Sequence, residues 1–306
     1  MADRLVQDIT AIPSTEVLVA RDPRIPHHFS SGVQVLSGDS ATVWREGLAA
    51  ADAVWLIAPE SGGVLARLTS DIEDSESVLL TSRTEAVTLA GSKYRTIRCL
   101  EAFGIRVVPT TRPGEALAPH AGEWIVKPDD GAGCEGLRIL SRECLGRWML
   151  SVDPLAWVIQ PLCEGDHLSL CLLCREGLAT VLSINRQIIR RRGDGFVLEG
   201  CHVNIPEPSG AFGAQLRETA AGVAAAIPGL RGIIGVDLLL TPSGPRVLEI
   251  NPRLTTSYTG LHRALGINPA GMVLDLVVRG TAPPVLKAYR TETVWLHPQN
   301  TALNHA

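Results

Sequence analysis

Asp237, Glu249 and Asn251 carry the oxygen atoms that a hard divalent cation prefers, and their spacing can gather them. In VLEINPR, Glu249 and Asn251 lie two positions apart, which in a strand directs both to one face. Asp237 interrupts the aliphatic run GIIGVDLLL, and the turn-forming TPSG separates the two runs. A hairpin centred on Ser243 sets Asp237 opposite Glu249 on that shared face, whereas a one-residue slip parts them. Carboxylates held so close repel each other, and Mg²⁺ with phosphate oxygens offsets that repulsion. Arg253 follows at once; its planar guanidinium suits a transferring phosphate or a developing oxyanion. The competing reading is a solvated hairpin with ion pairs to Arg246 or Arg253, but the neighbours GIIGV and LLL are too apolar for a fully wet edge.

Further groups could serve the same phosphates. In IVKPDDGAGCEG, Lys127 follows Ile125 and Val126, and Gly131, Gly133 and Gly136 let a loop fold its N–H groups over an anion. The alternative is a hairpin turn with Lys127 reaching solvent. Lys93 in GSKYRT is a second cation for a triphosphate, or else an ordinary solvated lysine. In WVIQPLCEG, Trp157, Ile159 and Leu162 could flank a flat base. The backbone of Gln160, Pro161, Leu162 and Cys163 offers hydrogen bonds to its edge, and Glu164 or Asp166 could accept from ribose hydroxyls. In SINRQIIRRRGDG, alternation puts Arg186 and Arg190 on one face and Arg191 on the other, so the first pair is expected to read an acidic substrate. Lys127, Arg190 and Arg253 are the catalytic candidates. Thr255, Thr256, Ser257 and Tyr258 follow the hairpin and could orient an acceptor.

Something must position these residues. EVLVA, VQVLS, AVWLIA and SVLLTS alternate with the helical segments TVWREGLAAA and SGGVLARLTSDIED, a βαβ rhythm that predicts a small parallel sheet with covering helices over residues 1–87. A second unit, 88–158, contains the helix LAGSKYRTIRCLEAFGI, the strand RVVPT and the glycine-rich loop. A third, 159–285, is mostly sheet, interrupted by the helix GAFGAQLRETAAGVAAAIPGL. Residues 286–306 form a tail without an assigned role. The fold class is therefore α/β followed by α+β. No G-x-G-x-x-G follows the first strand, which argues against a dinucleotide site.

The chain has 306 residues, 45% hydrophobic and 20% charged, with a formal charge of -4, so nothing supports nucleic-acid binding. No run approaches the roughly 18 apolar residues of a membrane span. The opening MADRLVQDIT lacks a signal-peptide core, so a cytoplasmic location is expected. Cys171 and Cys174 form a C-x-x-C inside the apolar run LSLCLLCREG and read as core residues. His167, His202 and His262 form no ligand set or nucleophile pair. A homodimer is compatible with the sequence and not required by it.

GSKYRT, EWIVKPDDGAG, WVIQPLCEG, GVDLLL and VLEINPR occur in an order that resembles the ATP-grasp superfamily, over residues 88 to 285. The resemblance implies an ATP-grasp fold preceded by a Rossmann-like domain, with ATP held between two α+β subdomains. It implies that Lys93 and Lys127 contact phosphates, that residues 160–163 line adenine, and that Asp237, Glu249 and Asn251 hold a pair of Mg²⁺ ions, with Mn²⁺ as a substitute. IAPESGGVLARLT, GSKYRT and INPRLTTSYTGL look like the branch containing tyramine–glutamate ligases of methanofuran and methylofuran biosynthesis. That branch implies an amide joining the side-chain carboxyl of L-glutamate to tyramine or tyrosine, through an acyl phosphate and with further glutamates as an option. Two departures stand out. His167 occupies the position of an acidic ribose ligand, and Gly235 that of an oxyanion arginine. A nucleotide-binding scaffold and a phosphotransferase are the competing functions.

Overall fold

The computed structural model describes residues 1–21, 29, 33–36, 40–131, 133–284, 286 and 290–296. Strands β1 (Val17–Ala20) and β2 (Val33–Leu36) pair in parallel, as do β3 (Ala53–Val54) and β4 (Val78–Leu79). Among the described residues these are two separate pairs rather than one continuous sheet. Helix α2 (Ser40–Ala50) follows β2, and α3 (Val64–Glu73) is entered through a 3₁₀ turn at Ser61–Gly63.

Sequence reading had not foreseen helix α1 (Ala2–Thr10). It buries Leu5 against the C-terminal half of the chain, and its Asp8 is 1% exposed. A buried carboxylate needs donors. Asp8 receives them from the Tyr258 hydroxyl at 3.0 Å, the His262 Nδ1 at 2.7 Å and Arg4 at 2.8 Å.

Helices α4 (Thr84–Ala90) and α5 (Lys93–Ala102) come next. RVVPT is extended but forms no strand of its own. Val107 bridges Val247 and Thr111 bridges Ile159, so the segment divides its pairing between the edges of two sheets. The first of those sheets is three-stranded, β6-β5-β7, with β5 (Trp124–Pro128), β6 (Arg138–Leu140) and β7 (Trp157–Pro161). Helix α6 (Arg142–Met149) covers one face, where Trp124, Val126, Leu145 and Ile159 form a small core.

The second sheet is antiparallel and six-stranded. It contains β8 (Asp166–Arg175), β9 (Leu178–Arg192), β10 (Gly195–Val203), β11 (Gly232–Thr241), β12 (Gly244–Asn251) and β13 (Glu292–Trp295), in the order β12-β11-β8-β9-β10-β13. The tail thus supplies an edge strand. One face packs on α4, α5 and α7 (Ala211–Ala226); the other packs on α1, α8 (Tyr258–Leu265) and α9 (Pro269–Val277). Leu168, Leu170 and Leu172 face the first layer, Cys171 and Leu173 the second. Both faces are covered, so β8 reads as an unbroken apolar run. The same alternation sends Cys171 and Cys174 to opposite faces, where burial pushes both thiols up to about 12. They cannot share a metal or a disulfide.

Candidate functional site

Asp237 and Glu249 are direct partners across β11 and β12, and Gly235 faces Asn251. The route to that register is not the one a simple hairpin suggests. At the turn Thr241 pairs with Gly244, Leu240 with Pro245 and Leu238 with Val247, a register that would set Asp237 opposite Leu248. A bulge between Asp237 and Leu238 on the pairing shifts it by one residue and brings Glu249 to Asp237. Without it, Glu249 would turn into the α5 and α7 layer and Leu248 would occupy the polar face.

Asp237 Oδ1 accepts from Gln187 Nε2 at 3.0 Å, and Oδ2 accepts from Asn251 Nδ2 at 3.2 Å. With its nitrogen so bound, the Asn251 amide has its carbonyl oxygen left to meet a cation. Burial, then repulsion from Glu249, holds the Asp237 carboxyl well above the usual carboxylate range, against the pull of those two hydrogen bonds. Glu249 in turn lies 3.6 Å from Lys127 Nζ and 3.9 Å from Lys93 Nζ. Burial lowers the Lys127 pKa, with Glu249 opposing and Lys93 adding to the effect. Two facing carboxylates and a carboxamide oxygen make an all-oxygen set, and a divalent cation would relieve the repulsion that now raises Asp237. The residues present therefore fit Mg²⁺.

Local structure explains how the lysines arrive. Lys93 is the first residue of α5, capped by Ser92, whose hydroxyl accepts from Arg95 N at 3.2 Å. Asp129, just past β5, completes that cap. Its carboxylate accepts from Tyr94 N at 2.8 Å and Ser92 Oγ at 2.7 Å, and pairs with Arg112 at 3.2 Å. Its carbonyl accepts from Lys93 N at 3.0 Å. Lys93 Nζ also donates to the Gly131 carbonyl, which ties α5 to the glycine-rich loop. Asp129→Ala is expected to lower unfolding free energy by about 3 kcal/mol, since it removes a cap and leaves Arg112 without its partner. Urea unfolding tests this, and a loss below about 1 kcal/mol would contradict the cap assignment.

Other nominated residues are placed elsewhere. Arg186 pairs in register with Leu168, on the sheet face opposite Asp237, and ion-pairs with Asp166 at 3.2 Å. Arg190 is exposed and pairs with Glu199 at 2.9 Å. The structure brings neither arginine to the carboxylates; from β9 it is Gln187 that reaches Asp237. In the small sheet, Lys127 lies opposite Val158 and Ile125 opposite Gln160, so these four share a face. Trp157 and Ile159 point the other way, Ile159 into the α6 core and Trp157 edge-on to Trp148 at 5.3 Å. They do not flank a base on the lysine side, for the alternation reason alone. Gln160 is buried and donates to Thr110 Oγ1 at 2.8 Å; Pro161 is buried, Leu162 and Cys163 are half-buried, and Glu164 is exposed.

Thr255 packs its methyl against Gly235, where a Cβ would come within 2.5 Å of it. An arginine at 235 would need that loop to move. Ser257 bonds Thr255 at 3.0 Å, Thr256 is half-buried, and Tyr258 is buried against Asp8, which with burial raises its phenol pKa. Tyr258 therefore anchors α1 rather than facing an acceptor. Gly131 and Gly133 lie in the loop after β5.

Arg253 donates from Nε at 3.1 Å and Nη2 at 2.8 Å to Glu60 Oε2, a residue of the N-terminal part. Nearby, Asp130 accepts from Gly62 N at 3.2 Å. Glu60, Lys93, Asp130, Gly131, Glu249 and Asn251 line one narrow cleft. A larger hollow of about 790 Å³, bordered by Arg83, Glu85 and Arg231, contains none of the nominated residues. Sequence reading missed Glu60, Asp129 and Gln187. The doubled aspartate after Lys127 was a signal for Asp129, and strand parity was one for Gln187; nothing local marked Glu60.

The sequence profile of the ATP-grasp domain matches residues 90–257, and that of the pre ATP-grasp 3 domain matches residues 15–87. The tyramine–L-glutamate ligase of Methanocaldococcus jannaschii is 30% identical over 210 residues, which are 69% of this chain. The match spans 58% of that protein's length. A crystal structure of an ATP-grasp superfamily protein from Archaeoglobus fulgidus superposes with a TM-score of 0.64 at 25% identity, covering 87% of this chain and 82% of that one. The L-amino acid ligase of Bacillus licheniformis superposes with a TM-score of 0.75 at 16% identity, covering 97% and 77%, a likeness of fold alone. No helix among the described residues is long and apolar enough to cross a membrane.

Proposed function

This chain belongs to the ATP-grasp family, and we propose that it is an ATP-dependent carboxylate–amine ligase. The observation that carries the proposal is the convergence of the half-buried Asp237, Glu249 and Asn251 with the buried Lys93 and Lys127. Its substrates on this reading are L-glutamate, through the side-chain carboxyl, and tyramine or tyrosine, as the name of the Methanocaldococcus relative suggests. Its setting would be the synthesis of a furan one-carbon cofactor.

The chemistry follows from charge. A carboxylate oxygen attacks the γ-phosphorus of ATP, the bond to the β-phosphate oxygen breaks, and ADP leaves an acyl phosphate. A neutral amine then attacks the acyl carbon, phosphate departs, and the nitrogen releases a proton to give the amide. Mg²⁺, held by Asp237, Glu249 and the Asn251 carbonyl, would neutralise phosphate charge when bound. Lys93 and Lys127 face the same phosphates, and Arg253 stands where charge on the phosphoryl group could be met. No covalent enzyme intermediate is required. The space between Lys93, Glu60, Gly131 and Glu249 is only about 20 Å³, enough for a water. A triphosphate needs more room, so the cleft must widen to admit one.

The test is direct. The protein is incubated with ATP, Mg²⁺, L-glutamate and either tyramine or tyrosine, and ADP and the amide are followed together. Amine-dependent ADP release with an amide of the expected mass supports the proposal. A phosphorylated acceptor without amide would mark a phosphotransferase, and nucleotide binding without turnover a scaffold.

A further inference from the structure

Glu60 is the one acidic side chain that the N-terminal part sends into the cleft among the described residues lining it, and the chemistry above gives it no task. It directly precedes the 3₁₀ turn at Ser61–Gly63, and its side chain is 8% exposed. Oε2 receives both contacts from Arg253. Oε1 is buried and accepts no hydrogen bond from any described residue. That division is unusual for an arginine–carboxylate pair, which gains most when the fork meets both oxygens. Leaving one carboxylate oxygen dehydrated and unmatched is costly, and such an atom asks for an explanation.

The neighbouring cations do not supply it. Lys93 and Lys127 are directed at Glu249, and Lys93 also at the Gly131 carbonyl. No group of three or more carboxylate, histidine or cysteine side chains that could hold a divalent ion occurs among the described residues, so a metal is not the partner that Oε1 lacks. The missing partner is a donor, and a cationic one is favoured because charge-assisted hydrogen bonds to a carboxylate oxygen are the stronger kind. We propose that Glu60 Oε1 receives a substrate ammonium group, so that the cleft selects an amino acid or primary amine by its charged nitrogen. Two sources share this chemistry, the α-ammonium of the carboxylate donor and the amine of the acceptor. The inference rests on the ligase reading for the identity of these substrates, but the binding test below does not need turnover.

The protein, saturated with Mg²⁺ and a non-hydrolysable ATP analogue, is titrated calorimetrically with L-glutamate and with glutarate, and separately with tyramine and with 4-ethylphenol. The Glu60→Gln variant is treated identically. Loss of one charge-assisted hydrogen bond should weaken the ammonium-bearing member of one pair by about tenfold or more, and leave its deaminated partner within about twofold. Loss on the glutamate side identifies the donor's ammonium, and loss on the tyramine side the acceptor's. Removing Glu60 leaves Arg253 unpaired, so if E60Q melts much lower than the parent, the double variant E60Q/R253Q, which leaves no isolated charge, is titrated instead. Equal weakening of both members of a pair, unchanged binding throughout, or no binding of either ammonium ligand to the parent protein overturns the assignment. Failure of the ligase reading looks different: the parent protein then releases no ADP with any substrate pair, whatever the titrations show.

Discussion

Glu249→Gln should cut ATP turnover by about a thousandfold or more, with a melting temperature close to that of the parent protein. The substitution keeps the shape of the side chain and removes only its charge. That charge faces Asp237 across the strands and lies within 4 Å of both Lys93 and Lys127. Its loss would weaken the proposed cation site and leaves two buried lysines without the carboxylate that now pairs with them. Stability moves less, because two effects oppose. The lysines lose a partner, while Asp237 loses the repulsion that, after burial, does most to raise its pKa. The Asp237 carboxyl in the variant should accordingly ionise at lower pH than in the parent. Coupled measurement of ADP release with a thermal melt tests both statements. Turnover within tenfold of the parent would remove Glu249 from the chemistry, and a collapse of the melting temperature would show that it serves folding instead.

Gly232→Ala is expected to produce the largest loss of stability of any single methyl group considered for this protein, about 4 kcal/mol. Gly232 opens β11 at φ +69°, where a side chain is strained, and an added Cβ would stand 2.3 Å from the backbone oxygen of Leu80. That oxygen belongs to the segment after β4 and cannot rotate away as a flexible side chain would. The strain and the collision therefore add. Leu80 N is already bound to Val54 O at 2.9 Å, so a shift would pull on the N-terminal strands as well. In a chain of this size the change corresponds to a drop of about 10 °C in melting temperature. A drop below about 3 °C would show that the junction between β4 and β11 yields easily.

Much of the fold was legible because its signals are local. The βαβ rhythm and the apolar runs of β8 and β11 are written in composition and period, whereas the single helix expected from Leu89 is divided, with α4 ending at Ala90 and Ser92 capping α5. The glycine-rich loop and the two lysines were legible by type, as was the group of oxygen-bearing side chains on β11 and β12. What failed was the assignment of faces and partners where several strands meet. Arg186 and Arg190 suggest a substrate pair because they alternate correctly with each other, but their absolute face depends on the pairing of Arg186 with Leu168. The apolar character of Trp157, Ile159 and Leu162 suggests residues flanking a base, and the α6 core claims Ile159. Tyr258 read as an acceptor contact until α1, from the opposite end of the chain, brought Asp8 to its hydroxyl.

By itself the sequence determined that Glu249 and Asn251 share a face, since strand parity is a property of adjacent residues. It also determined that Asp237 is the acidic break in the neighbouring run. Only the tertiary structure decided that Asp237 meets Glu249, because a bulge corrects a register that starts one residue out at the turn. Tertiary structure likewise brought Lys93, Lys127 and Glu60 to the cleft from elements far apart in the chain. Such convergence depends on packing between sheets and domains, where the energy is shared among many contacts and no short stretch of sequence records it.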